Sequence, residues 1–464
     1  MARKRAPLSR QAWWLLLISG LFALSVSLSN TFVNVYLWKV DKNFASIGRY
    51  NVAVYALQPL MFLAAAWLAK RKTSVFTFRI GILLHAAFYA VTLWGGSNLA
   101  GRPMVLGMLM GTAAGFYWCS FNELSLRFTS SDSRDRFYGM NGVVGSVAGM
   151  VAPPTAGTLI SLEDKFGNLT GYHLVFGLSL ALFVLGSFVS TRLSQDELGE
   201  HFNFRVMLGG LRDKDWRRVL FGSTIYGLRE GVFLFLIGLL IYIATGSEME
   251  LGEFFLLQSV LSFASFFVVS RVCNAHNRGK ILGVGAILLA GCATLFLIPL
   301  HTSTLLWYGG LVAICLPWFL VPLQGTIFDI IGRLDNETKD NARLEHIVMR
   351  ETFSNTGRVI GVSTFLLWIA VDRSGKSIAY LAFCIGLVQL GTWWVIHRVK
   401  MTQTSSREAK LGAGSVSSAS SVRVGEAGAR ARRGNRAGGH DEVGAGIEDG
   451  GKKSSWRNGR WPSR

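Results

Sequence analysis

Long apolar runs alternate with short charged clusters along almost the whole chain. Twelve such runs cover residues 11–38, 47–69, 75–96, 104–127, 139–161, 172–194, 218–244, 250–272, 279–299, 304–332, 347–371 and 376–398. An α-helix needs about 20 largely apolar residues to cross a bilayer, so each run is read as one transmembrane helix. The longest hydrophilic insert between runs, residues 195–217, divides the helices six and six. The predicted fold class is an all-α polytopic membrane protein whose twelve transmembrane helices form two pseudo-symmetric six-helix bundles. The expected divisions are an N-terminal bundle (1–194), a central cytoplasmic loop (195–217), a C-terminal bundle (218–398) and a basic cytoplasmic tail (399–464). Arg3, Lys4, Arg5 and Arg10 ahead of the first run give it the front of a signal peptide. The run is too long for a cleaved apolar region and is read as an uncleaved first span.

Composition agrees with this pattern: half of the 464 residues are hydrophobic, 31 are Phe and only 16% are charged. The formal charge of +19 raises nucleic-acid binding as a possibility, and its distribution turns the reading elsewhere. With the N-terminus inside, internal segments hold 24 Lys and Arg before the tail and external loops hold 7. Cytoplasmic loops are the ones enriched in these residues, so both termini are expected to be cytoplasmic in a plasma-membrane protein. Residues 400–464 carry 13 Lys/Arg against 6 Asp/Glu in a Gly-, Ser- and Ala-rich segment with too little apolar surface to order itself. The five cysteines show no CxxC spacing, so no metal, cofactor or disulfide framework is expected. A phosphate-cradling glycine loop with lysine, HExxH and GxSxG are all missing, which argues against an ATP-driven pump and against an enzyme. The expected partners are a small-molecule substrate, protons and the lipid bilayer, without nucleic acid; whether the chain is a monomer or an oligomer is left open.

The halves repeat one another. An offset of 204 aligns Gly48 with Gly252, Phe62 with Phe266 and Gly81 with Gly285, and an offset of 206 superposes Glu123 on Asp329 and Arg127 on Arg333. Six residues further inserted, Gly145 and Gly149 fall on Gly357 and Gly361. With twelve spans in two sixes and a central loop, the chain resembles the major facilitator superfamily over residues 11–398. The loop between spans two and three reads Ala66-Trp-Leu-Ala-Lys70-Arg71-Lys-Thr-Ser, basic like the family's, with Lys in place of its acid. The fourth span, Gly107-Met-Leu-Met-Gly111, lacks the arginine found in many antiporters of the family. The fifth, with Gly145, Gly149, Pro153, Pro154 and Gly157, is similar to the antiporter pattern. The resemblance implies alternating access around a central cavity lined by spans one, four, seven and ten. It points to secondary active, proton-coupled export of a small organic compound. Proton-coupled uptake of a sugar or organic acid, with Arg229 as anion site, is the alternative within transport. A non-transporting membrane receptor or assembly partner with the same fold is the alternative outside it.

Candidate chemistry starts with Tyr226-Gly-Leu-Arg-Glu-Gly231 on span seven, where Arg229 and Glu230 lie in a run whose remainder to 244 is uncharged. Ions inside a membrane segment are costly and normally face a protein interior or an aqueous path. Adjacent residues on a helix point about 100° apart, so one of the two is expected on the path. Glu230 is the candidate proton carrier, and Arg229 would hold it or receive an anion; a buried ion pair locking span seven is the structural alternative. Asn30 and Asn34 on span one fit solute contact or interhelical hydrogen bonding alike. Nearer the cytoplasm, Glu123 with Arg127 and Asp329 with Arg333, each at i, i+4, are read as parts of a gate. Lys70, Arg71, Glu351 and Arg358 are expected to join them, with Asp329 or Glu351 as partner for Arg358. Arg134, Arg136 and Arg343 belong to the same rim. His85 fits a packing role better than a proton relay.

Overall fold

Each predicted run becomes one helix, and the polar residues between runs punctuate them. The computed structural model describes residues 7–161, 170–194, 201–299, 301–338, 342–372 and 374–399. The long helices are α1 (Arg10–Asp41), α2 (Phe44–Arg71), α3 (Ser74–Ala100), α4 (Pro103–Phe128), α5 (Ser131–Ser161) and α6 (Thr170–Val189) in the first half. The second half holds α7 (Lys214–Thr245), α8 (Glu248–Val272), α9 (Arg278–Ala293), α10 (Thr302–Thr338), α11 (Arg343–Val371) and α12 (Gly375–Ile396). No strand occurs among the described residues. The expected tail, apart from Val399, lies outside the described residues, as does the start of the central loop (195–200).

Local chemistry explains the boundaries. Side chains of Ser9, Asn43, Asp213, Ser247 and Ser374 accept hydrogen bonds from the first backbone amides of α1, α2, α7, α8 and α12, satisfying donors a helix start leaves open. At the other end, α7 stops at Gly246, whose φ of 68° is the left-handed conformation that favours glycine. Nine helices among the described residues are long and apolar enough to cross a membrane. Two of the rest, α5 and α11, carry charge: α5 opens Ser-Asp-Ser-Arg-Asp-Arg and α11 contains Arg350, Glu351 and Arg358. Large apolar side chains such as Trp94, Phe188, Trp307 and Leu367 are exposed on the outside, where a lipid environment suits them.

Two glycine seams set how closely helices approach. Gly107, Gly111 and Gly115 of α4 lie against the backbone of α2 at Tyr50, Val54 and Gln58. Gly227 and Gly231 of α7 interlock with Gly357 and Gly361 of α11, each glycine facing backbone of the other helix. Small residues at four-residue spacing permit such contact between membrane helices, whose association rests on packing and hydrogen bonds rather than on a hydrophobic drive. Between the halves, α2 packs on α11 and α5 on α8, for example Gly48 beside Leu366 and Gly139 beside Ser270. The face where the chain enters α1 and leaves α12 is termed the proximal face.

Candidate functional site

A cavity of about 510 Å³ lies between the halves. Aromatic side chains form much of its wall, including Phe22, Tyr55, Trp118, Phe121, Tyr226 and Phe266. Neutral polar groups project into it from α2 (Asn51, Gln58), α4 (Asn122), α5 (Asn141) and α10 (Gln324). All four charged residues lining it, Glu230, Arg350, Glu351 and Arg358, come from α7 and α11.

These four form one network. The Arg358 guanidinium donates to Glu230 Oε2 through Nε at 2.8 Å, with Nη2 in ion-pair contact with the same oxygen at 2.6 Å, and to Glu351 Oε1 through Nη1 at 2.8 Å. Nη1 also donates to Asn355 Oδ1 at 2.9 Å, while Asn355 Nδ2 donates to Glu351 Oε1 at 3.1 Å. Arg350 Nη1 donates to Glu351 Oε2 at 2.8 Å, and the Tyr226 hydroxyl donates to Glu230 Oε1 at 3.1 Å. Arg358 also lies 5.6 Å from the ring centre of Tyr55 on α2, bringing the first half to the cluster. The glycine seam makes this possible: Gly231 faces the backbone of Arg358 itself, so Glu230 reaches α11 without a long span.

Several expectations are revised by this geometry. Arg229 does not line the cavity: it is buried, has no ion pair among the described residues, and its guanidinium lies 4.8 Å from the ring of Phe233. The partner of Glu230 is Arg358, because the rotation of α7 about the seam turns only one of the two adjacent charges towards α11. Glu351 and Arg358, expected at the rim, line the cavity instead. Asn30 and Asn34 belong to α1, and their side chains lie outside the described residues.

A second charged layer lies between the cavity and the proximal face. Asp329 is not held by Arg333 but by Arg134 of α5 and Arg278 of α9, and it accepts from Ser131 Oγ at 2.6 Å. Arg278, fully buried, also donates through Nε to Asp135 at 2.8 Å. Arg333 turns to the central connection, meeting Asp213 at 2.8 Å and Asp215 at 3.5 Å. Lys70 pairs with Glu345 at 3.1 Å, both buried, and the same carboxylate oxygen accepts from the Asn203 amide at 3.0 Å. Both sets link the first half to the second. Arg71 is exposed and stacks 3.9 Å from the ring of its own helix's Trp67. The expected Glu123–Arg127 ion pair is not made: Glu123 is fully buried, and neither carboxylate oxygen has a hydrogen-bond partner among the described residues. The Arg127 guanidinium lies 6.0 Å from the ring of Phe128. His85 Nδ1 lies 2.8 Å from the Gly81 carbonyl while its ring also contacts Phe22.

Sequence reasoning missed Arg278, Asp135 and Glu345 as inter-helix partners. A signal for Arg278 was present, since the offset of 204 places it on Ser74 beside the helix that carries Glu123. The Asp329 site therefore has a counterpart on Glu123 in which serine stands in place of the cation, so no arginine from that position pairs with Glu123.

No family model matches the chain. The uncharacterized protein YqgE of Bacillus subtilis is 39% identical over 375 residues, 81% of this chain and 86% of that protein. An uncharacterized protein from the sodM 3′ region of Geobacillus stearothermophilus is 43% identical over 168 residues, 36% of this chain and 77% of its own length. Among solved structures, the human organic anion transporter MFSD10 matches with a TM-score of 0.62 at 13% identity, covering 84% of this chain and 100% of that one. The E. coli fucose:proton symporter FucP matches with a TM-score of 0.55 at 15% identity, over 82% and 98% of the two chains. A bacterial homologue of the iron transporter ferroportin gives 0.56 at 17% identity, over 84% and 98%. At these identities the likeness is one of fold.

Proposed function

Because the chain belongs to the family of the Bacillus subtilis YqgE protein and has the fold of major facilitator superfamily transporters, we propose that it is a proton-coupled secondary transporter of a small organic compound. The observation that carries the reading is Glu230, an acid in the cavity between the halves whose carboxylate is clamped by Arg358. Protonation removes the charge that holds Arg358, and breaking one side of a buried pair leaves the other ion in need of a new partner. Proton and solute occupancy thus act on the same contact between α7 and α11. Alternating access follows from the second layer. Lys70–Glu345 and the Arg134, Arg278, Asp135 and Asp329 group join the halves on the proximal side, and exchanging these contacts for water opens the cavity there. The excess of basic residues in the proximal connections supports assigning that face to the cytoplasm.

Export is the direction read from the α5 pattern. The specific observation favouring the second reading, uptake with the proton, is the presence of Arg350 and Arg358 in the cavity. Flux into proteoliposomes under imposed pH gradients of either sign, run on a solute panel, separates the two. Glu230→Gln is expected to abolish uphill flux while leaving exchange down a solute gradient. Wild-type uphill flux in that variant would sink the coupling role, and binding without flux of any solute would favour a receptor.

A further inference from the structure

We infer that the solute carries a carboxylate, which docks on Arg350 and Arg358 while Glu230 holds the co-transported proton. This rests on the second transport reading above, uptake with the proton, and names its substrate class and stoichiometry. Hydrogen-bond accounting in the cavity carries it. Each carboxylate oxygen is already used: Glu230 Oε2 by Arg358, Glu230 Oε1 by Tyr226, Glu351 Oε1 by Arg358 and Asn355, and Glu351 Oε2 by Arg350. Arg358 commits Nε and Nη1 to hydrogen bonds and holds Nη2 in the ion pair with Glu230. Arg350 does not. It lines the cavity, is 5% exposed, and among the described residues donates only through Nη1, its Nε having no hydrogen-bond partner there. The cluster thus has a cationic donor to spare while every carboxylate oxygen already accepts a hydrogen bond, which suits an anionic ligand better than a cationic one.

Charge balance points the same way. Two arginines and two glutamates cancel. One proton from water, bound on Glu230, leaves the cluster with one positive charge and releases Arg358 from that side. A monocarboxylate cancels the charge the proton adds and returns the site to its unloaded net charge, so that loading adds no charge to be carried through the membrane interior. The groups facing Glu230 are Tyr55 from α2, Tyr226 and the neighbouring Arg229 on its own helix, and Arg358, Glu351 and Arg350 from α11; α10 brings only the neutral Gln324 into the cavity. The aromatic wall formed by Phe22, Trp118 and Phe121 accommodates the organic body of the ligand, and the volume lies in the range of small-molecule sites.

The test uses the purified full chain with benzoate and indole-3-acetate as probes, benzamide and indole-3-acetamide as uncharged isosteres, and tryptamine as a cation. Binding is read by thermal shift, and proton uptake by an indicator dye in weak buffer. The acids are expected to bind with uptake of one proton, their affinity rising about tenfold per unit fall in pH, because the bound state holds one proton more. Glu230→Gln, which mimics the protonated acid, should bind them at every pH without proton uptake. Arg350→Gln should weaken them at least tenfold, and Arg350→Lys should recover part of the loss. Amides or tryptamine binding as well as the acids, proton uptake persisting in Glu230→Gln, or no response to any probe would each overturn the inference. Amides driven uphill by a pH gradient would overturn the carboxylate while leaving the transport reading intact. Acids that bind but never cross would overturn the transport reading alone.

Discussion

Glu123 and Asp329 occupy matching places on α4 and α10, yet their surroundings are opposite. Asp329 is held by two arginines and a serine, whereas Glu123 is fully buried without a hydrogen bond among the described residues. Glu123 thus offers no hydrogen bond among the described residues for a substitution to break, in contrast to Asp329. Its neutral isostere should then cost little: Glu123→Gln is predicted to change stability by less than about 1 kcal/mol. Asp329→Asn removes one of the two acids from the fully buried Arg278 and the acid from Arg134, and is predicted to cost about 3 kcal/mol or more. Melting in detergent compares the two, and equal losses would contradict the proposed difference. At this scale the sequence placed both acids correctly along their helices. It could not pair them, because the i, i+4 spacing that joins Asp329 to Arg333 on paper competes with Arg134 and Arg278, which only the assembled helices bring in.

Helix α7 shows how an element converts a local pattern into a site. The glycines of Tyr226-Gly-Leu-Arg-Glu-Gly231 look like mere flexibility in the sequence, but Gly227 and Gly231 fix the rotation and depth of α7 against α11. That rotation decides that Glu230 faces the cavity and Arg229 the interior beside Phe233. A methyl group at Gly357 would collide with the backbone of Thr224, while one at the repeat-related Gly145 would meet nothing within 4 Å. Gly357→Ala is therefore predicted to cost about 1–3 kcal/mol by overpacking. It should also weaken proton coupling by separating Glu230 from Arg358. Gly145→Ala should be neutral or slightly stabilising, as alanine favours helix over glycine by about 1 kcal/mol. Melting temperature and pH-driven flux of the two variants, measured side by side, check both halves of this expectation.

For the whole molecule, the proximal ion pairs are placed to latch one half to the other. Lys70–Glu345 joins α2 to α11, and Arg278–Asp135 with Arg134–Asp329 joins α5 to α9 and α10. Glu345→Gln removes the carboxylate through which α11 holds Lys70 of α2 and should favour opening on that side. The predicted consequence is faster labelling of a cysteine placed in the cavity at Asn122, by a membrane-impermeant maleimide applied from the proximal face, several-fold over the same cysteine with Glu345 intact. Unchanged labelling would remove this pair from the gate.

The sequence by itself placed the twelve long helices, to within several residues at their ends, and pointed to the two-fold repeat, because apolar run length and internal offsets are properties of the linear chain. It also singled out Glu230 and Arg358 as charges needing a reason. Only the tertiary structure decided that they answer one another, that Glu351 and Arg350 belong to the same cavity, and that Arg229 turns away. Charge pairing between helices depends on rotation about each helix axis and on the depth of contact. Both are set by backbone approaches such as Gly231 against Arg358, between residues far apart in the chain.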